Sequence, residues 1–133
     1  MSDPIWASRA VLELLHDESL KEHGGAEGLR DSSLLDSALA RAENLLAYEA
    51  VNDVCRLAAT HAFGIVKNRP FIDGNKRAAF IAAGLFLQMN EMRLHADKAE
   101  AVLVMFDLAS GELTELQFAE WLRKNARPKG RGK

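Results

Sequence analysis

The ten residues from Asn68 to Arg77, N-R-P-F-I-D-G-N-K-R, divide two apolar runs of helical period. Pro70 locks its own φ and disfavours helix at Arg69, while Asp73-Gly74 is a turn pair. The chain therefore has to leave one helix, loop tightly and enter a second. At the entrance to that second helix the first backbone N–H groups lack intrahelical partners and the macrodipole is positive, which makes a seat for an anion such as phosphate. Asn75, Lys76 and Arg77 crowd this seat. The carboxylate of Asp73 beside them is the residue type that holds a Mg²⁺ ion bridging phosphate oxygens. The same residues also fit an ordinary Asp-Gly-Asn cap followed by a solvated Lys-Arg pair. Two adjacent cations in a first turn oppose the helix dipole, however, and ask for a compensating anion.

Helical periodicity runs through nearly the whole chain, and no segment alternates convincingly as a strand. Asp3-Pro4 marks a helix start, Val11, Leu12, Leu15 and Leu20 give an apolar stripe, and Gly24-Gly25 closes the segment. Asp31 is an N-cap for one helix, or a broken pair, carrying Leu34, Leu35, Ala38, Leu39, Ala42, Leu45 and Leu46. Asn52 caps the next, whose Leu57, Ala58, Ala62 and Ile65 lead into the loop and deliver Arg69. After the loop, Ala78, Ala79, Ala82 and Ala83 are interspersed with Phe80, Ile81, Leu85, Phe86 and Leu87. A helix so apolar all round belongs at the centre of a bundle, where the alanines let neighbours approach. Asn90 ends it, and Asp97-Lys98-Ala99-Glu100 and Thr114-Glu115-Leu116-Gln117 read as capping boxes of two more helices. The expected fold is all-α, a compact bundle of about six helices in one domain over residues 1–126, followed by a disordered basic tail, 127–133.

Composition narrows the function classes. A chain of 133 residues with 48% hydrophobic and 27% charged side chains is that of a soluble globular domain. No apolar run reaches the length of a membrane span, and Met1-Ser2-Asp3-Pro4 lacks the basic-then-apolar layout of a signal peptide, so a cytoplasmic location without a membrane partner is expected. The formal charge is −2; with four of the 17 basic residues in 127–133, residues 1–126 carry 13 against 19 acidic ones, a net of −6. That acidic body argues against direct nucleic-acid binding. Cys55 stands alone and reads as a small core residue, and Met89, Met92 and Met105 as core or gap filling. His16, His23 and His95 lack metal-ligand spacing, and His61 reads as a helix-face or core histidine.

The loop N-R-P-F-I-D-G-N-K-R resembles the signature of the Fic/Doc superfamily, H-x-F-x-[DE]-[GA]-N-x-R, at Phe71, Asp73, Gly74, Asn75 and Arg77, and Lys76 matches the Doc (death on curing) branch, where the Fic branch usually has Gly. A second block, Gly28-Leu29-Arg30-Asp31 through Leu34 to Arg41, then Asn44-Leu45 and Tyr48, is similar to another characteristic stretch of Doc proteins. The resemblance implies an all-helical toxin of a toxin–antitoxin pair, a kinase-type enzyme. Such a toxin transfers a phosphoryl group from ATP or another nucleoside triphosphate to a Thr of elongation factor Tu and so halts translation. The alternatives are a Fic-type enzyme transferring AMP and a non-catalytic module that binds a nucleotide or partner. By the same resemblance Asp73 holds Mg²⁺, Gly74, Asn75, Lys76 and Arg77 cradle the phosphates, and Phe71 anchors the loop. Arg69 occupies the position of the family's general-base His. A guanidinium stays protonated and cannot accept a proton, so catalysis by this chain is expected to be crippled while nucleotide binding survives. The replacement fits an inactivated toxin better than a natural binding module. Neither Glu27-Gly28 nor Glu43-Asn44 has a Ser or Thr four residues before it, so the self-inhibiting [ST]-x-x-x-E-[GN] helix motif of some Fic proteins is not formed at either pair, and inhibition is expected from an antitoxin chain binding near the site.

Overall fold

The computed structural model describes residues 3–130. Six helices and a two-stranded ribbon follow one another as α1 (Arg9–His23), α2 (Ser32–Glu49), α3 (Val54–Asn68), α4 (Asn75–Met89), β1 (Met92–Leu94), α5 (Lys98–Ser110), α6 (Glu115–Asn125) and β2 (Ala126–Pro128). The all-α bundle expected from the periodicity is the fold observed. No helix among the described residues is long and apolar enough to cross a membrane.

Capping fixes most of the boundaries. Asp31 accepts from the Ser33 N–H, Asp97 from Glu100, and Thr114 with Gln117 forms a reciprocal capping box. Three expectations shift. The first helix begins at Arg9, because the Ser8 hydroxyl caps it, and not at Asp3-Pro4. Asp53, one residue beyond Asn52, caps α3 through its carboxylate. The inward stripe of α1 is Leu12, His16 and Leu20, spaced four apart, while Val11 is exposed.

The centre of the bundle is α3, not α4. Ten of the 15 residues of α3 are buried against six in α4, since α3 is packed by α2, α4, α5 and α6 and α4 keeps one flank toward solvent. Small side chains decide how close α2 comes: a methyl on Gly64 would lie 3.0 Å from the Cα, Cβ and carbonyl oxygen of Ala38. Cys55 and Met105 lie in this core, whereas Met89 is exposed at the end of α4.

The first residues of the expected disordered tail are instead an ordered strand. Ala126, Arg127 and Pro128 pair antiparallel with Leu94, Arg93 and Met92, and the Lys129 N–H donates to the Glu91 carbonyl at 2.9 Å. Ala126 is buried, and Pro128 ends an edge strand, where its missing N–H is tolerated. Three-residue strands are too short to show alternation in the sequence. The remainder of the expected tail, residues 131–133, and the N-terminal Met1 and Ser2 lie outside the described residues.

His61 is a core histidine of α3, edge-on to Phe86 with ring centroids 5.1 Å apart. Burial pushes its pKa down to about 4, against a smaller opposing effect of a hydrogen bond with the Leu39 backbone. The unfolded chain therefore binds a proton near pH 6.5 that the folded chain refuses until about pH 4. Stability from neutral His61 is complete above pH 6.5 and is lost as pH falls toward 4. Denaturant titrations at pH 7 and 4.5 should show His61→Gln losing about 2–3 kcal/mol less than the parent over that interval.

Candidate functional site

The loop from Arg69 to Gly74 is held from the side by the α1–α2 connection. Leu29 and Phe71 form an antiparallel bridge, with the Ile72 N–H donating to the Gly28 carbonyl at 3.0 Å and the Arg30 N–H to the Pro70 carbonyl at 2.7 Å. The Arg30 guanidinium donates to the carbonyls of Asn68 and Arg69 at 2.7 and 2.8 Å, so the last carbonyls of α3 find a cationic partner. The Asn68 side chain in turn donates to the Leu34 carbonyl of α2 at 2.9 Å. The second sequence block is thus the brace of the first.

Within the loop, Asn75 ties the turn shut. Its Oδ1 accepts from the Phe71 N–H at 2.9 Å and its Nδ2 donates to the Phe71 carbonyl at 3.0 Å, while the Phe71 ring is buried in the core. Gly74 takes the left-handed φ of 71° that lets the chain turn into α4, and no side chain caps the helix. Arg69, the C-cap of α3, is left-handed as well, at φ 50° and ψ 57°, and exposed.

Arg69, Asp73, Gly74, Asn75, Lys76 and Arg77 all line one open cleft of about 290 Å³ at the entrance to α4, together with Val66, Ile72 and Ala109. The cleft holds three cations and one carboxylate. None of the three cations forms an ion pair within salt-bridge distance among the described residues. Lys76 instead sets its ammonium 4.8 Å from the centre of the exposed Phe106 ring, and Arg77 donates to the Gly24 carbonyl at 3.4 Å. Asp73 is exposed; its Oδ2 accepts from the Ala26 N–H at 3.2 Å and its Oδ1 from the Gly74 N–H at 2.9 Å. These two N–H groups, Ala26 first, hold its pKa below the ordinary carboxylate range, with help from the charge of Arg77.

That arrangement amends the expected cradle. The Gly74 N–H is engaged by Asp73 and the Asn75 side-chain amide by Phe71, so an anion seated here would meet the Asn75 backbone N–H and its successors in the first turn. A Mg²⁺ ion fits the donors present. Each Asp73 oxygen accepts a single hydrogen bond and keeps a lone pair, and Mg²⁺ needs only one or two carboxylates when phosphates and water complete its shell. No cluster of three or more His, Cys, Asp or Glu side chains suited to a self-sufficient metal site occurs among the described residues.

Two residues at the site carry no signal in the loop. Arg30 falls inside the second block, where nothing in the sequence ties its guanidinium to the loop. His16, set aside for want of ligand spacing, is fully buried with Nε2 3.0 Å from the Asp73 carbonyl oxygen. The available signal was positional: a histidine four residues from both Leu12 and Leu20 lies on the inward stripe of an amphipathic helix.

Comparison with known proteins gives a consistent picture. The model of the Fic/DOC family matches residues 6–87. The protein kinase doc of Escherichia phage P1 is 30% identical over 110 residues, covering 83% of this chain and 86% of that one. The toxin Doc of Mycolicibacterium smegmatis is 37% identical over 75 residues, 56% of this chain and 58% of the relative.

Proposed function

The chain belongs to the Fic/DOC family, and from that membership we propose that it is a Doc-like toxin whose site binds a nucleoside triphosphate with Mg²⁺ for phosphoryl transfer to a Thr of elongation factor Tu, in a form disabled by Arg69. The observation that carries this reading is the convergence of Asp73, Lys76 and Arg77 on one cleft at an uncapped helix N-terminus. Unpaired cations and free first-turn N–H groups favour a polyanion there, and both act most strongly on charge that spreads over the oxygens of a transferring phosphoryl group. Asp73 would hold the Mg²⁺, which would supply neutralisation of the phosphate charge.

Transfer makes a bond from the acceptor oxygen to the γ-phosphorus and breaks the one to the leaving nucleoside diphosphate. The hydroxyl proton needs an acceptor, and Arg69 on the same cleft offers only donors. Binding and positioning survive in this chain, and the proton-accepting step does not. The kinase name of the phage relative favours phosphoryl over AMP transfer, as does Lys76 at the cleft rim, where a Gly would leave more room for the nucleotide. Doc toxins also imply a partner antitoxin that silences the active form.

Calorimetry tests the binding half directly. ATP should bind more tightly with Mg²⁺ than in EDTA, and Asp73→Ala should remove that enhancement, on the order of tenfold, while leaving metal-free ATP binding in place. Equal binding by the parent with and without Mg²⁺ counts against the metal site, and no binding at all against the nucleotide site.

A further inference from the structure

His16 lies on α1, 57 residues before the loop residue it touches, and is fully buried. A carbonyl oxygen only accepts, so Nε2 donates its proton to Asp73 across 3.0 Å. Nδ1 is buried without a hydrogen-bond partner among the described residues. Keeping an unpaired polar atom in the interior is unfavourable, and a leucine of similar volume would avoid it, so the one bond to Asp73 is what accounts for an imidazole here. The ring is wedged in place: its centroid is 4.0 Å from that of Phe71, and a methyl on Gly74 would lie 3.0 Å from Nε2.

We infer that His16 is a positioning residue for the metal-binding carboxylate, holding the Asp73–Gly74 peptide so that the Asp73 side chain faces the cleft. The geometry is that of a lever. The Asp73 carbonyl points inward to His16 while its carboxylate is caught on the other side by the Ala26 and Gly74 N–H groups. Rotating that peptide would carry the Gly74 N–H away from Oδ1 and release the carboxylate from its place on the cleft. The inference rests on the nucleotide-binding reading above and adds to it a residue outside the family signature.

The test uses the full chain with ATP as probe, in Mg²⁺ and in EDTA, by calorimetry, which needs no catalysis. His16→Gln places an amide Nε2 near the ring Nε2 and keeps the donor; His16→Asn is one methylene too short. The Gln variant is expected to keep the parent's Mg²⁺ enhancement. The Asn variant should lose about tenfold or more of it while binding ATP in EDTA as the parent does. His16→Leu replaces the Asn variant if that one melts below the assay temperature. Full Mg²⁺ enhancement in the Asn variant, or in the Leu variant where that one is used, overturns the inference, as does a loss equal in Mg²⁺ and EDTA, which would mark a purely structural role. A parent that binds no ATP overturns the nucleotide reading first, and the inference falls with it.

Discussion

Arg69→His is expected to raise phosphoryl transfer to elongation factor Tu by on the order of 10²–10⁴-fold, the usual worth of a positioned general base, or roughly 3–5 kcal/mol of barrier. The backbone permits the exchange. Arg69 sits at φ 50°, a left-handed conformation in which histidine is enriched among non-glycine residues, and its side chain is exposed on the cleft. Its main-chain contacts, the N–H to the Ile65 carbonyl and the carbonyl to Arg30, do not depend on the side chain. Arg69→Gln is the control: it removes the cation without supplying a base and should stay as inactive as the parent. Label should move from the γ position of ATP and not the α position, and host growth should stop in the absence of antitoxin. An Arg69→His variant no faster than the Arg69→Gln control would show that proton transfer is not what the parent lacks. AMP transfer in its place would move the enzyme to the Fic side of the family.

Much of this site is written in ten consecutive residues because a helix–loop–helix corner is a local structure. Pro70, Gly74 and the Asn75 clamp on Phe71 act within five residues of one another, so the sequence constrains the loop without knowledge of the rest. The brace is different in kind. Arg30 meets Asn68 and Arg69 from nearly 40 residues away, and His16 meets Asp73 from 57, and neither distance leaves a periodic trace. The second block is visible as a similarity to Doc proteins, but its physical task, supplying the N–H and guanidinium donors that fix the loop, appears only in three dimensions. The exchange of α3 for α4 as central helix has the same origin. Composition reports how apolar a helix is, whereas burial depends on how many neighbours surround it, and the half-buried flank of α4 with Phe80, Ile81 and Leu85 looks identical in sequence to a buried one.

Glu115→Ala is expected to lower stability by about 2–4 kcal/mol, a fall in melting temperature of about 10 °C. In sequence Glu115 is only the residue after a capping threonine. In the fold it is a half-buried junction of three helices: from the first turn of α6 its carboxylate accepts from Arg56 and Thr60 of α3 at 2.6 Å each, and from Arg41 of α2 at 3.3 Å. Burial alone would raise its pKa, yet the Thr60 hydrogen bond and the charges of Arg41 and Arg56 outweigh that and lower it. The stabilisation is therefore complete above the unfolded value of 4.5 and is lost as pH falls through the lower folded value. Truncation removes the one anion between two guanidiniums and leaves the Thr60 hydroxyl with the Arg56 carbonyl as its acceptor. Glu115→Gln should cost less, since the amide oxygen still accepts from Thr60. In a double-mutant cycle with Arg56→Ala, the combined loss should fall short of the sum by at least 1 kcal/mol, roughly the coupling of a partly buried pair. Strict additivity would reduce the junction to two unrelated surface contacts, and the hold on α6 would then rest on its buried Phe118, Ala119 and Leu122 and on the ion pair of Arg123 with Asp53.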